Sequence, residues 1–219
     1  MASRSVSGTE GYAAEADALA RQYESITFAE AHAPYLHLIP AAPARALDIG
    51  AGTGRDAAAL AEMGHQVVAA EPTAEMRAHA ARLHTSPRIE WVDDSLPDLA
   101  VLTARGETFD LVMMTAVWMH LDDDQRRRAM PSVARLVRPG GALILSLRYG
   151  PVPAGRRMFV VTANETIALA ADAHLSVELQ LDNQPGGFGR TDVTWTKLAF
   201  RKKGVVPDCC ITRPGDAEA

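Results

Sequence analysis

The sequence predicts one open α/β sheet with helices on both faces. Three observations carry that expectation. Short apolar runs alternate with helical patterns along the middle of the chain. The runs lack polar alternation, as in Leu111-Val112-Met113-Met114, which suits parallel strands buried on both faces. A glycine-rich turn joins the first run to the first following helix.

In chain order, residues 1–11 are dominated by Ser, Gly and Thr and read as frayed. A helix over 12–23 sets Tyr12, Ala16, Leu19 and Tyr23 on one face. A second short helix over 28–39 is stopped by Pro40 and Pro43. Strands are predicted at 44–49, 66–71, 88–92, 109–115 and 142–147, with helices at 56–63, 73–83 and 122–137 between them. A helix over 163–173 is followed by two successive strands, 176–181 and 193–201, whose turn-rich connection fits a hairpin. The expected organisation is an N-terminal helical segment, 1–43, that serves as a lid or packs permanently on the sheet, one main domain, 44–202, and a loose tail, 203–219.

Composition bounds the function. The 219 residues carry a net charge of -5 and a pI near 5.8, so no field draws the chain to nucleic acid or an anionic membrane. Arg126-Arg127-Arg128 follows three aspartates and reads as a solvated helix face. The start, Met1-Ala2-Ser3-Arg4, lacks a signal-peptide core, and no run approaches a membrane span. Cys209-Cys210 gives no disulfide framework, and no His/Cys spacing indicates a metal. A reducing cytoplasm is the expected compartment.

The sharpest motif runs Ala46-Leu47-Asp48-Ile49-Gly50-Ala51-Gly52-Thr53-Gly54. Glycines at a strand-to-helix junction let a ligand approach the backbone. The spacing departs from the G-x-G-x-x-G turn that cradles a pyrophosphate. Asp48 at the entry would repel a pyrophosphate and attract an ammonium or sulfonium, which points to a cationic, phosphate-free cofactor. Glu71 closes the second strand, where an acid can accept both ribose hydroxyls. Pro72 turns the chain there, and Met76 is placed to cover a flat base. Asp93-Asp94 closes the third strand, where a carboxylate can accept an exocyclic amine. Any one acid alone fits a helix cap or a solvated loop; three at successive strand ends on one sheet edge form a site.

On these residues the chain resembles the class I S-adenosylmethionine-dependent methyltransferase family, over roughly residues 44–147 and again in the terminal hairpin. The resemblance implies seven strands in order 3-2-1-4-5-7-6 with the seventh antiparallel. It implies that Asp48, Gly50, Gly52 and Gly54 line the methionine part of S-adenosyl-L-methionine and that Glu71 holds the ribose. It further implies that Met76 packs on adenine, that Asp94, Ser95 and Leu96 frame its edge, and that the fourth strand ends at the amino group near Thr115.

Methyl transfer from a sulfonium is an in-line displacement, so alignment is the main task, and a base helps only where the nucleophile must lose a proton. The loop after the fourth strand offers His120 as that base, or as a residue that holds the loop. Trp118 and Met119 line an apolar pocket or belong to the core, and the pocket is the expectation for Trp118. Arg148 and Tyr149, beyond the fifth strand, are the remaining acceptor candidates, with Arg148 suited to a carboxylate. Arg156 and Arg157 read as solvated. The expected activity is methyl transfer to an oxygen or nitrogen of a small molecule. The alternatives are a regulatory module that binds the cofactor without turnover and a nicotinamide-dependent dehydrogenase, the latter disfavoured by Asp48 and the glycine spacing.

Overall fold

The computed structural model describes residues 6–186 and 188–204; Cys209-Cys210 and most of the expected tail lie outside them. Seven strands, β1 (Arg45–Ile49), β2 (Gln66–Ala70), β3 (Ile89–Val92), β4 (Phe109–Met114), β5 (Val137–Tyr149), β6 (Leu175–Pro185) and β7 (Thr194–Lys202), form one sheet. Their order is β3-β2-β1-β4-β5-β7-β6, with β7 antiparallel to both neighbours and the other pairs parallel. The helices are α1 (Ala16–Tyr23), α2 (Phe28–His32), α3 (Arg55–Glu62), α4 (Ala74–Leu83), α5 (Ala100–Arg105), α6 (Asp123–Leu136) and α7 (Ala163–Asp172).

The central strands are buried along nearly their whole length, so alternate residues feed two separate cores. Leu47, Ile49, Val112 and Met114 pack on one face with α6 residues such as Met130 and Val133. Ala46, Val67, Leu111 and Met113 pack on the other with Leu60 of α3 and Tyr35. Asp122 opens α6 with a capping box, its carboxylate accepting the Gln125 amide while the Gln125 side chain returns to the Asp122 amide.

Several expectations need correction. Helix α1 begins at Ala16, after a series of turns. The predicted 28–39 helix divides into α2 and a 3-10 turn at Ala33–Leu38, because Pro34 enters the first turn. Strand β5 starts at Val137, running through Pro139-Gly140-Gly141; a Cβ on Gly141 would sit 2.9 Å from the Phe109 carbonyl oxygen, so the close approach to β4 requires glycine. Strand β6 extends to Pro185 and breaks register with β7 twice, between Val177 and Leu179 and between Leu181 and Gln184. Helix α5 was not predicted: Leu99 stands at its N-cap in a left-handed conformation, where a Ser, Thr, Asp or Asn would have signalled the start. Arg126 is not solvated but 1% exposed, its guanidinium spanning Asp123, Glu165 and the Leu121 carbonyl, while Arg127 and Arg128 are exposed as expected.

The 3-10 turn ties the N-terminal segment to the sheet. Tyr35 is 1% exposed, and its hydroxyl donates to the Leu145 carbonyl of β5 at 2.9 Å. Lys197 of β7 donates to the Ala31 carbonyl at 2.7 Å from the same side. Tyr35→Phe removes one buried hydrogen bond, so stability should fall by about 1 kcal/mol. Urea unfolding reads this directly, and an unchanged midpoint would mean that the hydroxyl contributes nothing.

Candidate active site

The carboxyl ends of β1, β2, β4 and β5 open onto a cavity of about 790 Å³. Its floor is the turn at Gly50, Ala51, Gly52 and Thr53; Gly54, expected beside them, does not line it, because a Cβ there would meet Trp91 at 2.5 Å, His84 at 3.0 Å and Ala80 at 3.2 Å. The Gly50 and Ala51 amides both donate to the Ala70 carbonyl of β2, at 2.8 and 3.1 Å, which folds the turn back on the neighbouring strand. Gly52 has φ +57°, and a Cβ there would find nothing nearer than the Met76 Cε at 3.8 Å. The position faces the cavity, so glycine both supplies the conformation and leaves the space clear.

Asp48 lies under this turn, 2% exposed, and its Oδ2 has no hydrogen-bond partner among the described residues. Burial, with Asp56 and Glu71 nearby, pushes its carboxyl well above the ordinary range. Asp56, at the start of α3, is its opposite. Oδ2 receives His32 Nε2 at 2.7 Å and the Thr115 hydroxyl at 2.8 Å, and Oδ1 receives Arg55 Nε at 2.8 Å. Although burial opposes it, the charge and hydrogen bonds of His32 and Arg55 hold this carboxyl below its usual value. The two buried acids are thus divided, Asp56 held toward its charged form and Asp48 pushed toward its protonated one.

Glu71 is 6% exposed and accepts the Gly52 amide at 2.9 Å on one oxygen and the Thr73 amide at 2.8 Å on the other. Burial raises its pKa, and these amides oppose the rise. Each oxygen keeps a second lone pair toward the cavity. Pro72, Met76, Asp94, Ser95, Leu96 and Thr115 line the same cavity. Asp94 receives the Ser95 and Leu102 amides, both at 2.9 Å, whereas the Asp93 side chain is 68% exposed and paired with Arg77.

The acceptor candidates divide. His120 lines the cavity at 7% exposure. Its Nδ1 lies 2.8 Å from the Arg157 carbonyl, which can only accept, so the ring proton sits on Nδ1 and the Nε2 lone pair receives the Tyr12 hydroxyl at 3.0 Å. Burial lowers the His120 pKa and raises that of Tyr12, so both are neutral near pH 7. Arg148 also reaches the cavity. Trp118 does not: it is fully buried in the β4–α6 core, because the 3-10 turn at Trp118–His120 directs it inward. Tyr149 is absent from the cavity too and lines a small hollow beside it, which Arg148 also borders.

Sequence reasoning missed several residues around the cavity. Arg156 is not solvated: its side chain is 5% exposed, pairs with Glu15 at 2.8 Å and lies 4.3 Å over the Tyr12 ring. His32 enters from α2, and Phe188, Trp195 and Lys197 from the hairpin. The Tyr12–Leu19–Tyr23 stripe was the visible signal for the first group, since it packs on Met76 and roofs the cavity.

Residues 46–141 match the family model described as a methyltransferase domain. The chain is 35% identical over 113 residues to an uncharacterized methyltransferase of Mycobacterium tuberculosis, covering 48% of this chain and 40% of the relative. It is 34% identical over 143 residues to a ubiquinone biosynthesis O-methyltransferase of Rhizobium etli, covering 65% of this chain and 50% of the relative. The chain thus spans half or less of the length of these curated relatives. Among solved structures, a TehB-like SAM-dependent methyltransferase from Corynebacterium glutamicum aligns with TM-score 0.65 and 21% identity over 87% of this chain and 99% of its own. A Burkholderia thailandensis 1,6-didemethyltoxoflavin-N1-methyltransferase, solved with 1,6-didemethyltoxoflavin and S-adenosylhomocysteine, aligns with TM-score 0.64 and 23% identity over 87% and 88%. Both share the fold.

The raised Asp48 carboxyl has a consequence for stability. A folded-state value above the unfolded one contributes fully at acid pH and is lost as pH rises through the folded value. Ligand-free protein should therefore lose stability through this group as pH rises above the ordinary carboxylate range. Asp48→Asn should flatten that slope; thermal unfolding at successive pH values tests it, and parallel curves would remove Asp48 as the cause.

Proposed function

We propose that this chain, whose residues 46–141 match a methyltransferase domain model, belongs to the class I S-adenosylmethionine-dependent methyltransferase family and transfers the methyl group of S-adenosyl-L-methionine to an oxygen or nitrogen of a small molecule. The observation that carries the reading is the Asp48 Oδ2, buried beside the glycine turn with no partner among the described residues. An uncompensated buried carboxyl is costly, and a ligand ammonium repays the cost by ionising it. The remaining donor set fits the same cofactor. Glu71 keeps lone pairs for two ribose hydroxyls, Met76 offers a thioether to a flat base, and the Gly52 surface leaves room for the chain between them. No cluster suited to a metal occurs among the described residues.

When bound, the cofactor supplies an electrophilic methyl on a sulfonium. The chain's own residues position and deprotonate the acceptor. His120 holds its proton on Nδ1 through the Arg157 carbonyl, which leaves Nε2 as a neutral base. The acceptor hydroxyl or amine takes the place that the Tyr12 hydroxyl holds, and Nε2 accepts its proton as the nucleophile engages the methyl. Tyr12, Leu19 and Tyr23 of the N-terminal segment form the roof that excludes water. No helix among the described residues is long and apolar enough to cross a membrane, and we place the enzyme in the cytoplasm.

Calorimetry with S-adenosylmethionine and with NAD tests cofactor choice, and appearance of S-adenosylhomocysteine on incubation with metabolite pools tests turnover. Preferential NAD binding would overturn the reading, and cofactor binding without turnover on any pool would favour a regulatory module. Glu71→Ala should weaken S-adenosylhomocysteine binding by roughly 1–3 kcal/mol. Unchanged affinity with an intact fold would take Glu71 out of the site. With an acceptor in hand, His120→Ala should lower turnover about a hundredfold or more while cofactor affinity holds. Turnover that survives would leave alignment as the whole of catalysis.

A further inference from the structure

We propose that Arg148 is an anion-reading residue and that the acceptor is a flat, apolar molecule bearing one carboxylate. The proposal rests on the methyltransferase reading above, because it concerns the acceptor half of the same cavity. Alternation along β5 presents Ile144, Ser146 and Arg148 to that cavity in succession, so Arg148 stands on a rigid central strand and not on a loop.

The Arg148 guanidinium is poorly satisfied. Its Nη2 is buried with no acceptor among the described residues. Nη1 has a long 3.4 Å approach to the Gly150 carbonyl and a 4.0 Å one to the Met158 thioether. The carboxylates around it are engaged elsewhere. Asp192 holds Arg190 through both oxygens, at 3.1 and 2.8 Å, Glu15 holds Arg156 at 2.8 Å, and Glu10 accepts the Gly8 amide at 2.7 Å. Burial and the neighbouring Arg190 charge press the Arg148 pKa down, and Asp192, which Arg190 already holds, offsets only part of that. A ligand anion supplies the counter-charge, and a guanidinium matches the planar fork of a carboxylate.

The surroundings set the rest of the molecule. Tyr12, Tyr23, Phe188 and Trp195 bound this end of the cavity, with Met119 and Met158 beside Arg148. The Tyr23 and Phe188 rings stand 6.1 Å apart at 35° and make an aromatic wall. Aromatic faces and thioethers favour a flat apolar body. Arg156 and Arg190 are paired with carboxylates, and Lys197 donates to the Ala31 carbonyl and lies over the Tyr35 ring, whereas the Arg148 guanidinium keeps a buried nitrogen without a partner among the described residues. One guanidinium with few other donors suits a monocarboxylate better than a phosphate dianion, which needs more donors.

The test uses 4-fluorobenzoate and the neutral 4-fluorobenzamide as probes, followed by fluorine NMR with the full chain saturated by S-adenosylhomocysteine. The acid should bind roughly tenfold or more tightly than the amide, the scale of a charge-assisted contact. Arg148→Gln should erase that preference and leave S-adenosylhomocysteine affinity unchanged. Arg148→Lys, which keeps a point charge without the fork, should retain a reduced preference and guards against a folding defect in the first variant. Equal binding of the two probes, binding of neither, or a preference that survives Arg148→Gln overturns the proposal. Failure of the wild-type chain to bind S-adenosylhomocysteine instead sinks the methyltransferase reading and is seen before either probe is added.

Discussion

Two carboxyl groups lie buried at the end of β1 and the start of α3, and the protein supplies donors for one of them. Asp56 gathers His32, Arg55 and Thr115, three donors from three different parts of the chain. Asp48 is left with a bare oxygen. Two adjacent carboxyls cannot both ionise cheaply in a dry interior, so satisfying one obliges the other to hold a proton or find a cation. That division fixes much else. His32 has to come in from α2, which seats the N-terminal segment on the sheet, and Thr115 has to end β4 at that point. The unsatisfied member then faces the cavity as a standing demand for positive charge.

The fold was legible because its signals are local. Buried parallel strands announce themselves as unbroken apolar runs, and the glycine turn with Asp48, Glu71 and Asp94 marks successive strand ends on one edge. Asp48, Gly50, Gly52, Glu71 and Asp94 line one cavity, and Gly54 packs behind it on Trp91. What escaped notice depends on partners distant in sequence. Arg126 looks like any exposed helix arginine until Glu165, 39 residues later, meets it. Arg156 looks solvated until Tyr12 and Glu15 fold over it from the other end of the chain. Trp118 and His120 are neighbours in one short turn, and a two-residue step decides which enters the core and which the cavity. No spacing rule reads that step.

Tyr12 joins three roles: it donates to His120, lies under Arg156, and packs with Leu19 and Met76 in one small apolar cluster. His120, Arg156 and the covering segment are therefore tied together through one side chain. On the proposed mechanism, an acceptor that displaces the Tyr12 hydroxyl frees Nε2 and breaks one of those ties in the same event.

The sheet has two outer strands, and they differ in how they resist unwanted pairing. β3 has four residues, too few to template a second chain. β6 has eleven and leaves Val177 44% exposed, which would invite association along a flat edge. Its two register breaks against β7 twist that edge out of plane, Glu178 and Asp182 place charge along it, and Pro185 withdraws a backbone donor at its end. The hairpin that lends the cavity Trp195 and Lys197 thus also serves colloidal solubility: its irregularities keep neighbouring copies from zipping into a continuous ribbon.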